Sequence, residues 1–173
     1  YSTKFQRHIE ELLVSPVPNW VILAGYVSGG VCRGLLVGTV VIGISLLFTT
    51  IPVNHLGLSC LVFLLTAILF ALAGFINAVF ADSFDDISII PNFILTPLTY
   101  LGGVFYSVDM LPELWQKISL ANPILYIVNS FRYGLIGVTD IDITVALTMI
   151  ISFIIALIIF SLYLLKKGVG IKQ

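Results

Sequence analysis

Arg33 asks for a chemical explanation, because the apolar run from Trp20 to Phe48 holds no other charge. A charged side chain near the middle of a bilayer costs about 2.5–3.5 kcal/mol on insertion scales and seldom faces lipid. Its functional reading is a translocation pathway or an intramembrane polar pair. The plainer alternative is a helix whose first turns lie outside the membrane, with Arg33 snorkelling to headgroups. A second cluster is acidic: Asp82, Ser83, Asp85 and Asp86 crowd one turn. Such carboxylates suit a hard cation, but Ser83, Asp85 and Asp86 fit better as a cap favouring the positive end of the helix that follows. A third group, Asn122, Pro123, Tyr126, Arg132 and Tyr133, mixes amide, ring and guanidinium. It reads either as interfacial anchoring or as a substrate exit.

Catalysis finds little to use. His8 and His55 have no nucleophile or carboxylate constellation around them. No G-x-x-x-x-G-K-[ST] stretch exists to cradle a phosphate. Cys32 and Cys60 sit inside apolar runs and behave as small hydrophobes. The sequence therefore predicts no enzyme, no resident metal and no cofactor bound by this chain. Nor do eight scattered Lys and Arg with a net charge of −1 suggest a nucleic-acid partner.

The elements that must position these residues follow from composition. Of 173 residues, 59% are hydrophobic and 10% charged, and the mean hydropathy is +1.12. Too few polar residues remain to coat a soluble surface, so the solvent is lipid. Spanning segments must be helices, since single strands leave backbone groups unpaired in hydrocarbon. Four stretches reach the length of roughly 20 residues that a crossing needs: 20–48, 56–81, 87–106 and 143–165. Asn19 and Asp142 are expected to cap the first and last, and 51–54 to turn between the first two. Gly25 and Gly29, and then Gly30, Gly34 and Gly38, recur at four-residue spacing, which clears a smooth face for helix packing. Pro91 and Pro97 predict kinks in the third span.

Residues 3–15 form a separate amphipathic helix. Phe5, Ile9, Leu12 and Leu13 share one face, and Lys4, Arg7, His8, Glu10 and Glu11 the other; Pro16 and Pro18 end it. It is read as a lever docking on a soluble partner or as a helix lying on the membrane surface. The connection 107–139 holds a short amphipathic helix, Met110 to Leu120, and an apolar segment, Ile124 to Val138, too short to cross. That length suits a re-entrant or interfacial lid. Lys4, Arg7, Lys166, Lys167 and Lys172 flank the ends, while only Lys117 and Arg132 lie between the last two spans. An even number of spans and the positive-inside bias place both ends in the cytosol and 107–139 outside. The fold class is thus an all-α, multi-pass integral membrane protein with four transmembrane helices. The bilayer itself is the first partner.

Three ordered segments carry a resemblance. KFQRHIEELLVSPVPNW is similar to the coupling-helix region of ABC type-two (ABC-2) export permeases. NPILYIVNSFRYGLIG is similar to the signature of that family before its last span, and FDDISIIPNFILTPLTYLGGVFYS to a bacterial inner-membrane group within it. The resemblance implies a permease subunit that forms a homodimer and pairs with an ATP-binding-cassette ATPase, which holds the ATP and magnesium. It implies a coupling-helix contact through Phe5, Arg7, Ile9, Glu10, Glu11 and Leu12, and an outer re-entrant signature at Asn122, Pro123 and Arg132. Drug, lipid-like or glycan cargo moving outward across a bacterial plasma membrane is the activity implied. Family members have six spans, so the first two are expected to be missing here. A non-transporting scaffold docking a partner through 4–14 is the rival. An ion-coupled carrier would want mid-membrane carboxylates, and the spans have none.

Overall fold

The structure, a computed structural model, describes residues 17–50, 52–81, 83–104 and 110–168. The lever helix at 3–15, with Phe5, Arg7, Ile9, Glu10, Glu11 and Leu12, lies outside the described residues, as do Ile51, Asp82 and 105–109. Among the described residues the regular structure is helical throughout. Helix α1 runs Asn19–Phe48 and α2 Leu56–Phe80. A broken third helix consists of α3 (Phe84–Ile89), a π-helical turn (Ile90–Leu95) and α4 (Thr96–Tyr100). Then come α5 (Glu113–Leu120), α6 (Pro123–Ile136) and α7 (Ile143–Lys167).

Among the described residues three helices, α1, α2 and α7, are long and apolar enough to cross a membrane. The expected third span, 87–106, takes the broken form. It starts earlier, because Ser83 and Asp86 exchange hydrogen bonds in a capping box that opens α3. It is interrupted at Pro91 and leaves regular helix after Tyr100. Pro91 cannot donate to the carbonyl four residues earlier and crowds that turn. Residues Ile90–Leu95 widen instead, Thr96 N–H closing onto the Pro91 carbonyl.

Helix starts divide by the chemistry available. Asp142 caps α7, its carboxylate accepting from Thr144 N–H at 2.7 Å. That bond is the first cause holding the carboxyl below its usual range. The expected cap at Asn19 is not made: Pro18, in extended conformation, precedes α1, and its carbonyl accepts from Val21 N–H at 2.9 Å. Asn19 is the first helical residue, too far along to cap. Lys166 and Lys167 occupy the last turn of α7, where cations suit the helix dipole, and Gly168 closes it at φ +65°.

The bundle centres on α2, which packs against α1, α6 and α7; α1 and α7 also touch. Phe80 and Phe160 stack at 6.4 Å, placing the end of α7 beside the ends of α2 and the start of α1. At the other end, hereafter the turn end, the connection between α1 and α2 meets α6. One apolar cluster joins Ile22 and Leu23 of α1, Leu69, Leu72 and Phe75 of α2, Tyr126 and Ile127 of α6, and Ala146, Ile150 and Leu164 of α7. In lipid such contacts act through close packing rather than exclusion of water. Conversely, no residue in the most apolar stretch of α1 is buried, so α1 lies mainly against α2, touches α7 less, and leaves most of its circumference free.

Candidate functional site

Helix α6 begins at Asn122-Pro123 because the pair solves a start: Asn122 Oδ1 accepts from Ile124 N–H at 3.0 Å, while Pro123 has no N–H to satisfy. The other side of the Asn122 amide leaves the helix. Its Nδ2 donates to the Leu98 carbonyl at 2.6 Å, and the residue is 2% exposed. Arg132, farther along α6, donates to the Gly103 carbonyl at 2.7 Å and pairs with Asp140 at 3.0 Å. Gly103 has φ +73°, which suits glycine. Two α6 side chains thus satisfy carbonyls around the C-terminal end of α4, and one places a positive charge where the helix dipole is negative.

The same helix anchors its other neighbours at the turn end. Asn54 and His55 donate backbone N–H groups to the Leu135 and Gly134 carbonyls at 3.2 and 2.9 Å. The His55 and Tyr133 rings stack at 5.1 Å. Gly134 lies against Ser59, with no room for a side-chain carbon. Gly137 ends α6 at φ +79°, and a Cβ there would sit 2.8 Å from Asn54 Nδ2. Asn129, 1% exposed, accepts from Asp140 N–H at 3.1 Å and donates to the Leu125 carbonyl at 3.0 Å. Tyr126 donates its hydroxyl to the Leu120 carbonyl at 2.6 Å. The result is a polar clasp in which α6 binds the α1–α2 turn, the end of α4 and the approach to α7.

At the opposite end, Ser83 Oγ accepts from Asp86 N–H at 3.2 Å and Asp86 Oδ2 from Ser83 N–H at 2.9 Å; Asp85 lies exposed in the same first turn. A nearby tie escaped the sequence reading. Asn77, 8% exposed, donates Nδ2 to the Ile87 carbonyl at 3.0 Å. That carbonyl lies four residues before Pro91, which has no N–H to offer it. Asn77, Asn129 and Asn54 share one signal available in sequence: an amide in or beside an apolar helix must find partners.

Arg33 lies exposed on α1, away from both ties. Gly30, Gly34 and Gly38 instead line the seam with α2. A Cβ on Gly30 would stand 2.9 Å from Ala71 Cβ, one on Gly34 3.6 Å from Ala67 Cβ, and one on Gly38 would meet the Phe63 ring. Gly25 and Gly29 face nothing within 4 Å. The structure therefore separates the sequence candidates into the clasp, the capped start of α3, the glycine seam and an uncovered cation.

Residues 1–136 match the profile of a family described as ABC-2 type transporter. Over its full length the chain is 51% identical to the inner membrane transport permease YadH of Escherichia coli K12, spanning 68% of that protein. It is 23% identical over 165 residues to nodulation protein J of Rhizobium leguminosarum bv. viciae, covering 94% of this chain and 62% of that one. No solved structure matches. Matched along most of its length and built from long apolar helices, the chain belongs to the ABC-2 type transporter family and is a membrane-spanning permease subunit of an ATP-binding-cassette transporter.

Proposed function

We propose that this chain forms part of an exporter of the bacterial inner membrane, carrying an amphipathic or lipid-like compound, a drug or a glycan outward. An ATP-binding-cassette subunit supplies the energy, holding the ATP and magnesium on its own surface. Two copies of the permease enclose the path. Residues 3–15 are the coupling helix, with Phe5, Ile9 and Leu12 as its apolar face and Arg7, Glu10 and Glu11 as its charged one. The turn end, with its clasp, faces outward. Lys166 and Lys167, on the side where α1 begins, mark the cytosol.

Membership of the family supports a permease; the broken third helix favours a moving one over a passive scaffold. Its π-helical turn buries none of its residues, while side-chain hydrogen bonds reach carbonyls near either end. A helix tied at its ends and loose at a proline can change its bend while keeping its attachments. In the proposed cycle, ATP-driven closure of the partner pushes the coupling helix, α1 transmits the displacement, and the bundle exchanges inward for outward access.

Glu11→Arg tests the coupling. It reverses a charge on the lever and leaves the spans intact. Transport per ATP hydrolysed in reconstituted vesicles is expected to fall at least several-fold, with normal membrane insertion. Unchanged coupling would remove the lever from the mechanism and favour the scaffold.

A further inference from the structure

The glycine seam also measures depth. Gly30 lies opposite Ala71, Gly34 opposite Ala67 and Gly38 opposite Phe63. Each four-residue advance along α1 is matched by a four-residue retreat along α2, so Arg33 is level with Ile68. Ile68 stands midway between Leu56 and Phe80, the ends of α2. About 18 Å of helix therefore extends to either side of it, against a hydrocarbon core about 30 Å thick. With α2 centred across the bilayer, Arg33 lies at mid-depth, and the headgroups are beyond a guanidinium's reach from there.

Among the described residues nothing neutralises it. The nine carboxylates fall at 10–11, 82–86, 109–113 and 140–142, every group outside α1, α2 and α7. Asp85 and Asp86 belong to the start of α3, and Asp140 pairs with Arg132 in the clasp. Among the described residues no hydrogen bond or ion pair engages Arg33, which is exposed. One turn before it, Gly29 has nothing within 4 Å of the position a Cβ would take, and Gly25 likewise. One turn after it, Val37 is 57% exposed. A permanent cation therefore stands at mid-depth beside bare backbone and open space. A guanidinium is weakly hydrated for a cation and presents a planar fork that matches two oxygens of a phosphate or carboxylate.

We propose that Arg33 is an oxyanion site on an aqueous path halfway across the membrane, receiving the phosphate or carboxylate of an anionic amphiphile in transit. The inference rests on the export reading and narrows it: the cargo carries negative charge. The bare helix surface at Gly25 and Gly29 leaves a headgroup room to approach the guanidinium. Binding there replaces part of the headgroup's lost hydration, and release follows when the path opens outward.

The test uses charged thiol reagents as probes. In the whole protein, in its own membrane and with its cysteines replaced by alanine, Val37→Cys places a reporter one turn from Arg33. A sulfonate-bearing and a trimethylammonium-bearing methanethiosulfonate are compared for rate, with and without ATP. Labelling is expected, with the sulfonate favoured. Arg33→Gln should lower the sulfonate-to-ammonium ratio about tenfold, as removal of a neighbouring unit charge requires, while Arg33→Lys should keep most of it. Val40→Cys, 60% exposed before substitution, provides a second reporter if Val37→Cys does not assemble. No labelling at either position, in any nucleotide state, would overturn the proposal by showing a lipid-facing or packed surface. A ratio unmoved by Arg33→Gln would also overturn it, since a fixed carboxylate from another helix would then already neutralise the arginine. The effect of Arg33→Gln on the ratio can be read without ATP and without a bound ATPase, so its failure is distinct from failure of the exporter reading.

Discussion

At the scale of single residues, the decisive groups are amides rather than acids or nucleophiles. Asn77, Asn122 and Asn129 each answer a backbone group that a proline, a helix end or a turn leaves unpaired. The clearest case is Asn77, because its partner carbonyl is orphaned by a residue on the partner's own helix. Asn77→Leu should leave the Ile87 carbonyl unpaired in an apolar setting, at a cost of about 1–3 kcal/mol. Pro91→Ala restores an N–H four residues beyond that carbonyl and should recover much of the loss. Thermal unfolding in detergent of both single variants and the double variant forms the cycle. Additive effects would show that Asn77 and Pro91 do not share the Ile87 carbonyl.

At the scale of helices, the seam between α1 and α2 depends on Gly30 and Gly38, while a Cβ on Gly34 would make only ordinary contact with Ala67 and Gly25, Gly29 and Gly43 face open space. Gly30→Ala forces a shift against Ala71, so it should destabilise the α1–α2 pair by roughly 1 kcal/mol or more. Gly43→Ala, with nothing within 4 Å, should be neutral or slightly stabilising through helix propensity. Equal effects of the two substitutions on unfolding would contradict this packing. The long helices were legible because length and hydropathy alone define a span: the sequence places them at 20–48, 56–81 and 143–165, and the structure within two residues of each bound. Glycine spacing showed that a smooth face exists, but not which of two stripes meets α2. The third helix was less legible. Its prolines predict a kink, yet the π-helical turn depends on where the Pro91 carbonyl finds a donor. Asn19 failed as a cap because local sequence could not tell whether Pro18 or Asn19 stands at the boundary. Within the clasp, Asn122, Pro123 and Arg132 were recognisable as a group. Their targets, the Leu98 and Gly103 carbonyls, lie 24 and 29 residues away in the chain, and only the fold brings them together.

At the scale of the whole molecule, the bundle divides labour between its ends. The turn end is cross-tied by α6 through backbone, amide and guanidinium contacts, so it should move as a unit. The opposite end carries the capped start of α3, the basic end of α7 and the entry to α1, where the proposed lever joins. Between them lie a loosely packed π-helical turn and an uncovered Arg33. This arrangement suits a machine driven from one end and gated at the other. The most direct test of the exporter reading is purification of the whole protein from gently solubilised membranes. An ATP-binding-cassette subunit should co-purify, and should be lost when Phe5, Ile9 and Leu12 are made polar while the spans remain inserted. Absence of any such subunit, under conditions that keep related transporters intact, would contradict the exporter reading.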